Sequence, residues 1–183
     1  MNKALSITFV ILTCLSCLRS GSAQALPTAT APGAYISVGG TVSFFRSGYG
    51  SQGVNGAGFY VDINPIRAAG IEAESRWMGQ SKMSKVAEST YLIGPRVQFR
   101  RGSYTPYVKS LVGLGYFNYP YESAQGRYFV IAPGAGVDLM LGQNLKIRLI
   151  DIEYQEWPQF TFGTISPYGV SFGFSYRVFN GSR

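Results

Sequence analysis

The sequence contains no histidine, and its only two cysteines, Cys14 and Cys17, stand near the amino terminus. Without histidine, no imidazole is present to bind a metal ion or to act as a general acid or base. If a leader carries the cysteines away, the remaining chain has neither a thiol nucleophile nor a disulfide. Charged residues make up only 14% of the chain, but hydrophobic residues make up 46%, which argues against a disordered protein.

Residues 1–25 have the pattern of a secretory signal peptide. Lys3 supplies a basic start, an apolar run extends from Ala4 to Leu18, and Ala23-Gln24-Ala25 has the small-x-small form of a cleavage site. The run is about 15 residues long, which is too short for a transmembrane helix. Cleavage there removes both cysteines and lowers the net charge from +7 to +5, because Lys3 and Arg19 leave with the leader.

Two alternatives to the signal peptide fit the sequence less well. A buried amino-terminal helix leaves Arg19 and the Gly-Ser-Ala that follows it unexplained. A lipoprotein would use Cys17, but Cys14 stands three places before it, where a lipobox has leucine. We therefore predict that the leader is cleaved without lipidation and that the protein is exported.

Beyond the leader, apolar and polar residues alternate in eight runs, the pattern of extended strands. The 23 glycines, 12 phenylalanines and 13 tyrosines also favour an all-β protein. Most runs have about 10 to 14 residues, longer than the 5 or 6 typical of soluble strands and close to a tilted transmembrane strand. The predicted strands are 34–45, 58–64, 69–78, 90–100, 106–119, 128–140, 145–157 and 166–179.

The last run, SPYGVSFGFSYRVF, has one apolar and one small or polar face. A soluble sheet would turn the apolar face inward, whereas a transmembrane barrel turns it toward lipid. We predict the second arrangement and expect the assembly machinery to read the end of this strand. The residues predicted to face lipid are Tyr168, Val170, Phe172, Phe174, Tyr176 and Val178.

The breaks between the runs alternate in length. Those at 65–68, 101–105 and 141–144 are short, and those after the first, third, fifth and seventh runs are longer. Short periplasmic turns and long extracellular loops are the rule in outer-membrane barrels. The basic residues predicted in or beside the long loops are Arg46, Lys82, Lys85 and Arg127.

Charges cluster on the faces opposite the aromatic residues. An eight-stranded soluble barrel fills its interior with apolar side chains or a ligand cavity, and inward charges would disrupt it. We therefore predict that the apolar faces meet lipid and that the charges form an interior ion network, because an unpaired buried charge is costly. The predicted members are Asp62, Glu72, Glu74, Arg76, Arg96, Arg100, Lys109, Asp138, Lys146, Arg148, Asp151, Glu153 and Arg177.

Local features refine this arrangement. Pro95 and Pro133 interrupt their runs and are expected at bulges or strand ends. The alternation slips at Leu149-Ile150, which predicts a β-bulge. Residues 61–77 and 137–157 form a weak internal repeat, for which chance and shared hairpin physics are the alternative explanation. The repeat predicts Trp77 and Trp157 at the outer rim, where interfacial aromatic residues belong.

Three segments, 137–139, 146–154 and 173–177, resemble the small eight-stranded bacterial outer-membrane barrels, which include OmpA-like, OmpX-like and opacity-like surface proteins. The penultimate strand carries an Arg…Asp/Glu-Tyr motif, and the last ends in aromatic and arginine residues, although Val178 separates Arg177 from Phe179. The resemblance implies an all-β, eight-stranded antiparallel up-and-down transmembrane barrel in the cell outer membrane. The predicted organisation is a signal peptide (1–25), a linker (26–33), the barrel (34–179) and a tail (180–183).

The resemblance implies a non-enzymatic protein with a structural or adhesin-like surface role. The predicted partners are outer-membrane lipid or lipopolysaccharide, the barrel-assembly machinery and an extracellular loop ligand, with no nucleic acid, cofactor or metal. Lipopolysaccharide phosphates would meet the basic loop residues, unless these are only solvated. The alternatives are a narrow channel and a lipid-modifying enzyme. The enzyme is the less favoured of the two, because the enzyme barrels that it would resemble rely on histidine, which this chain lacks. Asp138, Asp151 and Glu153 could be paired catalytic carboxylates, but a structural ion network is the preferred interpretation. Gly134-Ala135-Gly136 is not a nucleotide loop, because it lacks the third glycine.

Overall fold

The computed structural model describes residues 34–46, 53–79, 87–118, 125–158 and 164–180. The predicted signal peptide, the linker and the tail beyond Asn180 lie outside the described residues. Eight strands are present: β1 (Tyr35–Arg46), β2 (Gly53–Asn64), β3 (Ala69–Gly79), β4 (Ala87–Gln98), β5 (Tyr104–Asn118), β6 (Gln125–Leu141), β7 (Leu145–Tyr154) and β8 (Tyr168–Asn180). In this part of the chain, no helix is long and apolar enough to cross a membrane.

The strands form one closed antiparallel barrel. Each strand pairs with its neighbour in sequence, and β1 pairs with β8 to complete the cylinder, with Val42 opposite Phe172. Closure pairs every strand on both sides and leaves no free sheet edge. The predicted fold class, an eight-stranded up-and-down barrel, is confirmed.

The short turns connect β2 to β3, β4 to β5 and β6 to β7. Gly102 and Gly142 have φ angles of 62° and 84° in the second and third turns, a left-handed conformation that glycine adopts without strain. The long connections lie at the other end, at the extracellular side of the predicted topology.

Several strands extend further toward the long connections than the sequence pattern indicates. β2 begins at Gly53 instead of residue 58, β4 at Ala87 instead of 90, and β6 at Gln125 instead of 128. The sequence Gly-Val-Asn-Gly-Ala at 53–57 lacks clear alternation, but it pairs residue by residue with the end of β1. Backbone pairing therefore extends beyond the residues that show apolar-polar alternation.

The bulge predicted at Leu149-Ile150 is confirmed, because the pairing of β7 with β8 shifts between Arg148 and Asp151. A second shift lies in β8, where Ser37 of β1 pairs with Arg177 and Ile36 pairs with Phe179, so that Val178 is the extra residue. This bulge accounts for the irregular aromatic spacing at the end of β8.

The expectation that Pro95 and Pro133 lie at bulges or strand ends is wrong. Both lie inside long strands, β4 and β6, without a register shift beside them. In place of a bulge, the pairing of β4 with β5 skips Gly94 and Pro95 and resumes in the same register at Arg96. A local gap in the ladder accommodates the missing proline N–H.

The outer wall is apolar, and the interior is divided into two layers. Apolar side chains exposed on the outside recur on every strand, from Val42 on β1 to Phe174 on β8. Inside, buried charged residues fill the half near the short turns and the middle of the barrel. In the half near the long connections lie a smaller buried apolar cluster of Phe45, Val54 and Met78 and a larger one that consists of Leu92, Leu111, Tyr128, Val130, Ala132, Trp157 and Ile165. We call the larger cluster the apolar plug.

Candidate functional site: the barrel interior

Lys109 of β5 lies at the centre of the buried charges. Its ammonium group contacts four carboxylates, with Nζ–O distances of 2.7 Å to Asp151, 3.0 Å to Glu72, 3.0 Å to Glu74 and 3.1 Å to Glu153. The four acids come from β3 and β7, on either side of β5 around the cylinder. One cation therefore connects strands that are not neighbours in the sheet.

Three of these acids have the arrangement of a metal site. Carboxylate oxygens of Glu72, Glu74 and Asp151 lie within 4.8 Å of one another, a spacing at which one cation could contact all three. The ammonium group of Lys109 already contacts each of them. The cluster is therefore neutralised by a side chain of the protein itself.

Two arginines occupy the layer closer to the short turns. Arg96 contacts Asp62 at 2.9 Å, Glu72 at 2.8 Å and Asp138 at 2.6 Å. Arg148 contacts Glu72 at 2.8 Å and Asp151 at 3.3 Å. Lys146 adds contacts of 3.0 Å to Asp62 and 3.4 Å to Asp138. Each acid in this layer therefore contacts at least two cations, as burial of several charges requires.

Two tyrosines hold the guanidinium groups in place. The carbon Cζ of Arg148 lies 3.7 Å from the ring centroid of Tyr60, and that of Arg96 lies 3.7 Å from the ring of Tyr107. Both rings are buried, with 1% and 2% of their surface exposed. Stacking on an aromatic face compensates a buried guanidinium for part of its lost hydration.

A third arginine joins the charged layer to the apolar plug. Arg76 contacts Glu74 and lies 2.9 Å from Glu153, which also accepts a hydrogen bond of 2.8 Å from Gln155. Gln155 in turn accepts a 3.0 Å hydrogen bond from the indole nitrogen of Trp157. A continuous polar chain therefore ends on the largest side chain of the plug.

Trp157 differs from its predicted position at the outer rim. The side chain is fully buried, and its ring would lie 2.3 Å from a Cβ atom on Gly115. Its separation from Asp151 and Glu153 is even, so it shares their inward face. Trp77 follows Glu72 and Glu74 at odd separations and points outward, with 43% of its surface exposed.

Eleven of the thirteen predicted network residues form ion pairs with one another, and two lie apart. Arg100 is exposed just beyond the end of β4, and Arg177 is half-buried beside the bulge in β8. Among the described residues, neither has a carboxylate within ion-pair distance. The alternation predicts an inward direction, but both residues lie at the barrel end, beyond the reach of the acids.

The sequence pattern missed other interior residues. Glu88 lies in a segment predicted to be a loop, but it is buried at the start of β4 with 1% exposed, and its carboxylate oxygens lack hydrogen-bond partners in the described part of the chain. Gln155, Tyr60 and Tyr107 were overlooked because they are uncharged. The even spacing of Gln155 from Glu153 was the available signal.

The four basic residues predicted to contact a loop partner lie in three different settings. Arg46 is exposed at the end of β1 and donates a hydrogen bond of 3.3 Å to the Tyr168 hydroxyl. Arg127 lies within β6 instead of a loop, and its Cζ atom lies 5.4 Å from the Tyr116 ring centroid. Lys82 and Lys85 lie outside the described residues.

A row of aromatic rings runs around the outside near the long connections. Phe59, Trp77, Tyr91 and Tyr116 follow one another in edge-to-face contacts, with centroid distances of 6.1, 6.2 and 5.8 Å. The indole of Trp77 also donates a 3.2 Å hydrogen bond to the Tyr91 hydroxyl. Such aromatic girdles lie at the membrane interface of transmembrane barrels.

The outward face of β8 has the predicted composition. Tyr168, Phe172, Phe174, Tyr176 and Val178 are each at least 43% exposed, and Val170 is half-buried. Ser171 and Ser175 are buried on the opposite face. The strand therefore presents a ladder of apolar side chains to the surroundings of the barrel.

A closed eight-stranded barrel with an apolar outer wall and buried ion pairs has the architecture of a small transmembrane β-barrel. No protein-family model and no curated protein sequence matches this chain. Among solved structures, the chain is similar to Neisserial surface protein A, with a TM-score of 0.65 and 11% identity over 81% of this chain and 99% of that one.

Two further solved structures have the same fold. The outer-membrane protein OprG from Pseudomonas aeruginosa matches with a TM-score of 0.52 and 12% identity, over 80% of this chain and 96% of that one. A de novo designed transmembrane β-barrel matches with a TM-score of 0.51 and 17% identity, over 81% and 98%. The predicted likeness to small outer-membrane barrels is confirmed at the level of the fold.

Proposed function

We propose that the protein is a non-enzymatic outer-membrane barrel with a closed interior, which anchors extracellular loops that carry a structural or surface-binding role. The observation that carries this proposal is the presence of two barriers in series. Water and ions moving along the barrel axis would have to separate ion pairs such as Arg96–Asp138, at 2.6 Å, and then displace Trp157 from the plug. The first step breaks several buried ion pairs at once, and the second opens a tightly packed apolar cluster.

Conductance across a planar lipid bilayer tests the closed interior. The protein, refolded in detergent and inserted at neutral pH, is expected to give no stepwise currents above those of detergent alone. Stepwise currents from the folded protein would instead favour the narrow channel. Heat-modifiable gel mobility of the same sample distinguishes a closed barrel from a failure to fold.

In the proposed surface-binding role, the basic residues near the long connections bind the phosphates of lipopolysaccharide. Arg127 lies at the height of the aromatic row, where we expect the outer membrane interface, and Lys82 and Lys85 belong to the connection between β3 and β4, outside the described residues. The guanidinium of Arg127 would meet the phosphates of the outer leaflet at this height, and we assign the same partner to the two lysines.

A lysine double variant tests this role. Lys82→Gln together with Lys85→Gln is expected to weaken binding of lipopolysaccharide to the detergent-solubilised barrel. Arg101→Gln, an exposed charge loss at the opposite end, is the control and should leave binding unchanged. Equal affinity of the wild type and the lysine variant would mean that these lysines are only solvated.

A further inference from the structure

Among the described residues at the short-turn end of the barrel, every charge outside the ion network is positive. The three turns contain Arg67, Arg100 and Arg101, and no acidic residue occurs in 65–68, 99–103 or 142–144. The acids nearest to this end, Asp62 and Asp138, each already contact Arg96 and Lys146. Arg100 and Arg177, which also lie at this end, have no carboxylate within ion-pair distance among the described residues.

A cavity of about 40 Å³ lies at this end. It is lined by Tyr35, Arg67, Gln98, Arg100, Lys146 and Arg177, together with Thr105 and Met140, so that half of the lining residues are cationic and none is acidic. A cavity that holds one water molecule needs about 10 to 15 Å³. The cavity therefore has room for a group about the size of a small oxyanion.

One cationic group of the cavity lining, the guanidinium of Arg177, is held in place but incompletely satisfied. The guanidinium of Arg177 stacks on Tyr35, with 4.3 Å between Cζ and the ring centroid. Its Nε is buried without a hydrogen-bond partner among the described residues, and its Nη1 donates only a long bond of 3.4 Å to Asn180. The hydroxyl of Tyr35 is itself fixed by a 2.7 Å hydrogen bond from Gln98.

We propose that this periplasmic cavity binds a phosphate group, held by the guanidinium groups of Arg100 and Arg177 together with the ammonium of Lys146. Guanidinium groups match tetrahedral oxyanions with paired N–H donors, and an acceptor here would satisfy the orphaned Nε of Arg177. Only the phosphate itself fits the cavity, so any organic part extends out of it. Inorganic phosphate and the headgroup of an inner-leaflet phospholipid have the same recognition chemistry.

Calorimetric titration of the full-length mature protein in nonionic detergent tests the site. Sodium phosphate is added at constant ionic strength, with chloride as the balancing anion. Arg177→Gln and, separately, Arg100→Gln are expected to weaken phosphate binding about tenfold, as loss of a charge-assisted hydrogen bond does. Arg101→Gln is the matched control, because it removes an exposed arginine from the same turn but not from the cavity lining.

A second arm separates the two sources of phosphate. The protein is mixed with phosphatidylcholine vesicles that contain or lack phosphatidic acid, in the absence of inorganic phosphate. Binding of inorganic phosphate identifies a soluble ligand. Binding only to phosphatidic acid vesicles, with loss in the Arg100 and Arg177 variants, identifies a lipid headgroup. The proposal is overturned if the wild type binds neither, or if Arg101→Gln reduces binding as much as the cavity variants. Arg100→Gln keeps the test decisive if a change in β8 prevents folding.

Discussion

Nη2 of Arg148 lies 2.8 Å from Oε2 of Glu72, although the two residues are separated by 76 positions and belong to strands on opposite sides of the barrel. The pair crosses the full width of the interior. Arg148 also contacts Asp151 and stacks on Tyr60, so that a single side chain connects three strands. Removal of this arginine should therefore affect the whole network.

Replacement of Arg148 with leucine is the first prediction. The change leaves the carboxylates of Glu72 and Asp151 short of a cation in a buried site, which typically costs about 3–5 kcal/mol of stability. Urea unfolding of the refolded protein in detergent measures the loss. Arg101→Leu removes an exposed charge and should change stability by less than about 0.5 kcal/mol. An unfolding midpoint of Arg148→Leu equal to that of the wild type would contradict the network.

Replacement of Lys109 with alanine should convert its site into one for a divalent cation. The oxygens of Glu72, Glu74 and Asp151 then surround an empty position, and oxygen-rich sites of this kind suit calcium. Calcium at ten times its dissociation constant should stabilise the variant by about 1.4 kcal/mol by mass action. The wild type, in which ammonium occupies the position, is the control and should not respond. An equal response of both proteins would place calcium elsewhere.

The period-two pattern of the sequence predicted the strand number and the inward acids. Asp62, Glu72 and Asp138 lie in the middle of regular alternation, where side-chain direction follows directly from position. The pattern failed at the strand ends. Glu88 was assigned to a loop because Ala87 to Ser89 contains no large apolar residue, whereas backbone pairing with β3 extends the strand to Ala87.

The division of the interior into two layers was not predicted. Leu92, Leu111 and Val130 face inward, but a lone apolar residue on a polar face does not indicate which others it meets. The plug forms because residues from β4, β5 and β6 lie at the same height, which depends on register around the barrel. Register is set by many pairings at once and cannot be read from one strand.

Trp157→Ala tests the plug. The side chain is fully buried and contacts Tyr128 with a centroid distance of 6.0 Å, so its removal should cost about 3–5 kcal/mol. Trp77→Ala, the same substitution at an outward position, leaves no interior cavity and is expected to cost less. Thermal unfolding followed by heat-modifiable gel mobility compares the two. A larger loss of stability for Trp77→Ala than for Trp157→Ala would contradict the stabilising role of the plug.

Gly39→Ala should disturb the stacking partner of Arg148. A Cβ atom on Gly39 would lie 2.5 Å from the carbonyl oxygen of Phe174 and 2.6 Å from the ring of Tyr60, so the backbone or the ring must move. Overpacking of this kind typically costs about 1–3 kcal/mol. Gly40→Ala is a close control, because the nearest atom to its Cβ, the Gly58 oxygen, lies 3.8 Å away. Equal urea midpoints for the two variants would show that the Tyr60 ring moves aside without a loss of stability.

Phe172 and Ser171 test the assignment of the two faces of β8. Phe172 is 43% exposed and makes an edge contact with Phe44 at 6.5 Å, whereas Ser171 is buried and its hydroxyl lies 2.8 Å from that of Ser43. Phe172→Arg places a cation in the lipid-facing belt and should cost about 2–4 kcal/mol if it lies near the bilayer midplane. Ser171→Ala leaves the Ser43 hydroxyl without its partner and should cost about 1 kcal/mol.

The measurement is refolding into phosphatidylcholine vesicles, followed by urea unfolding and gel mobility. Phe172→Leu keeps an apolar side chain at the same position and is the control for the loss of the aromatic ring, which it separates from the cost of charge. We expect Phe172→Arg to be much less stable than Phe172→Leu in vesicles. If the two variants are equally stable, position 172 does not meet lipid, because only a hydrocarbon environment distinguishes an arginine from a leucine so strongly at an exposed site.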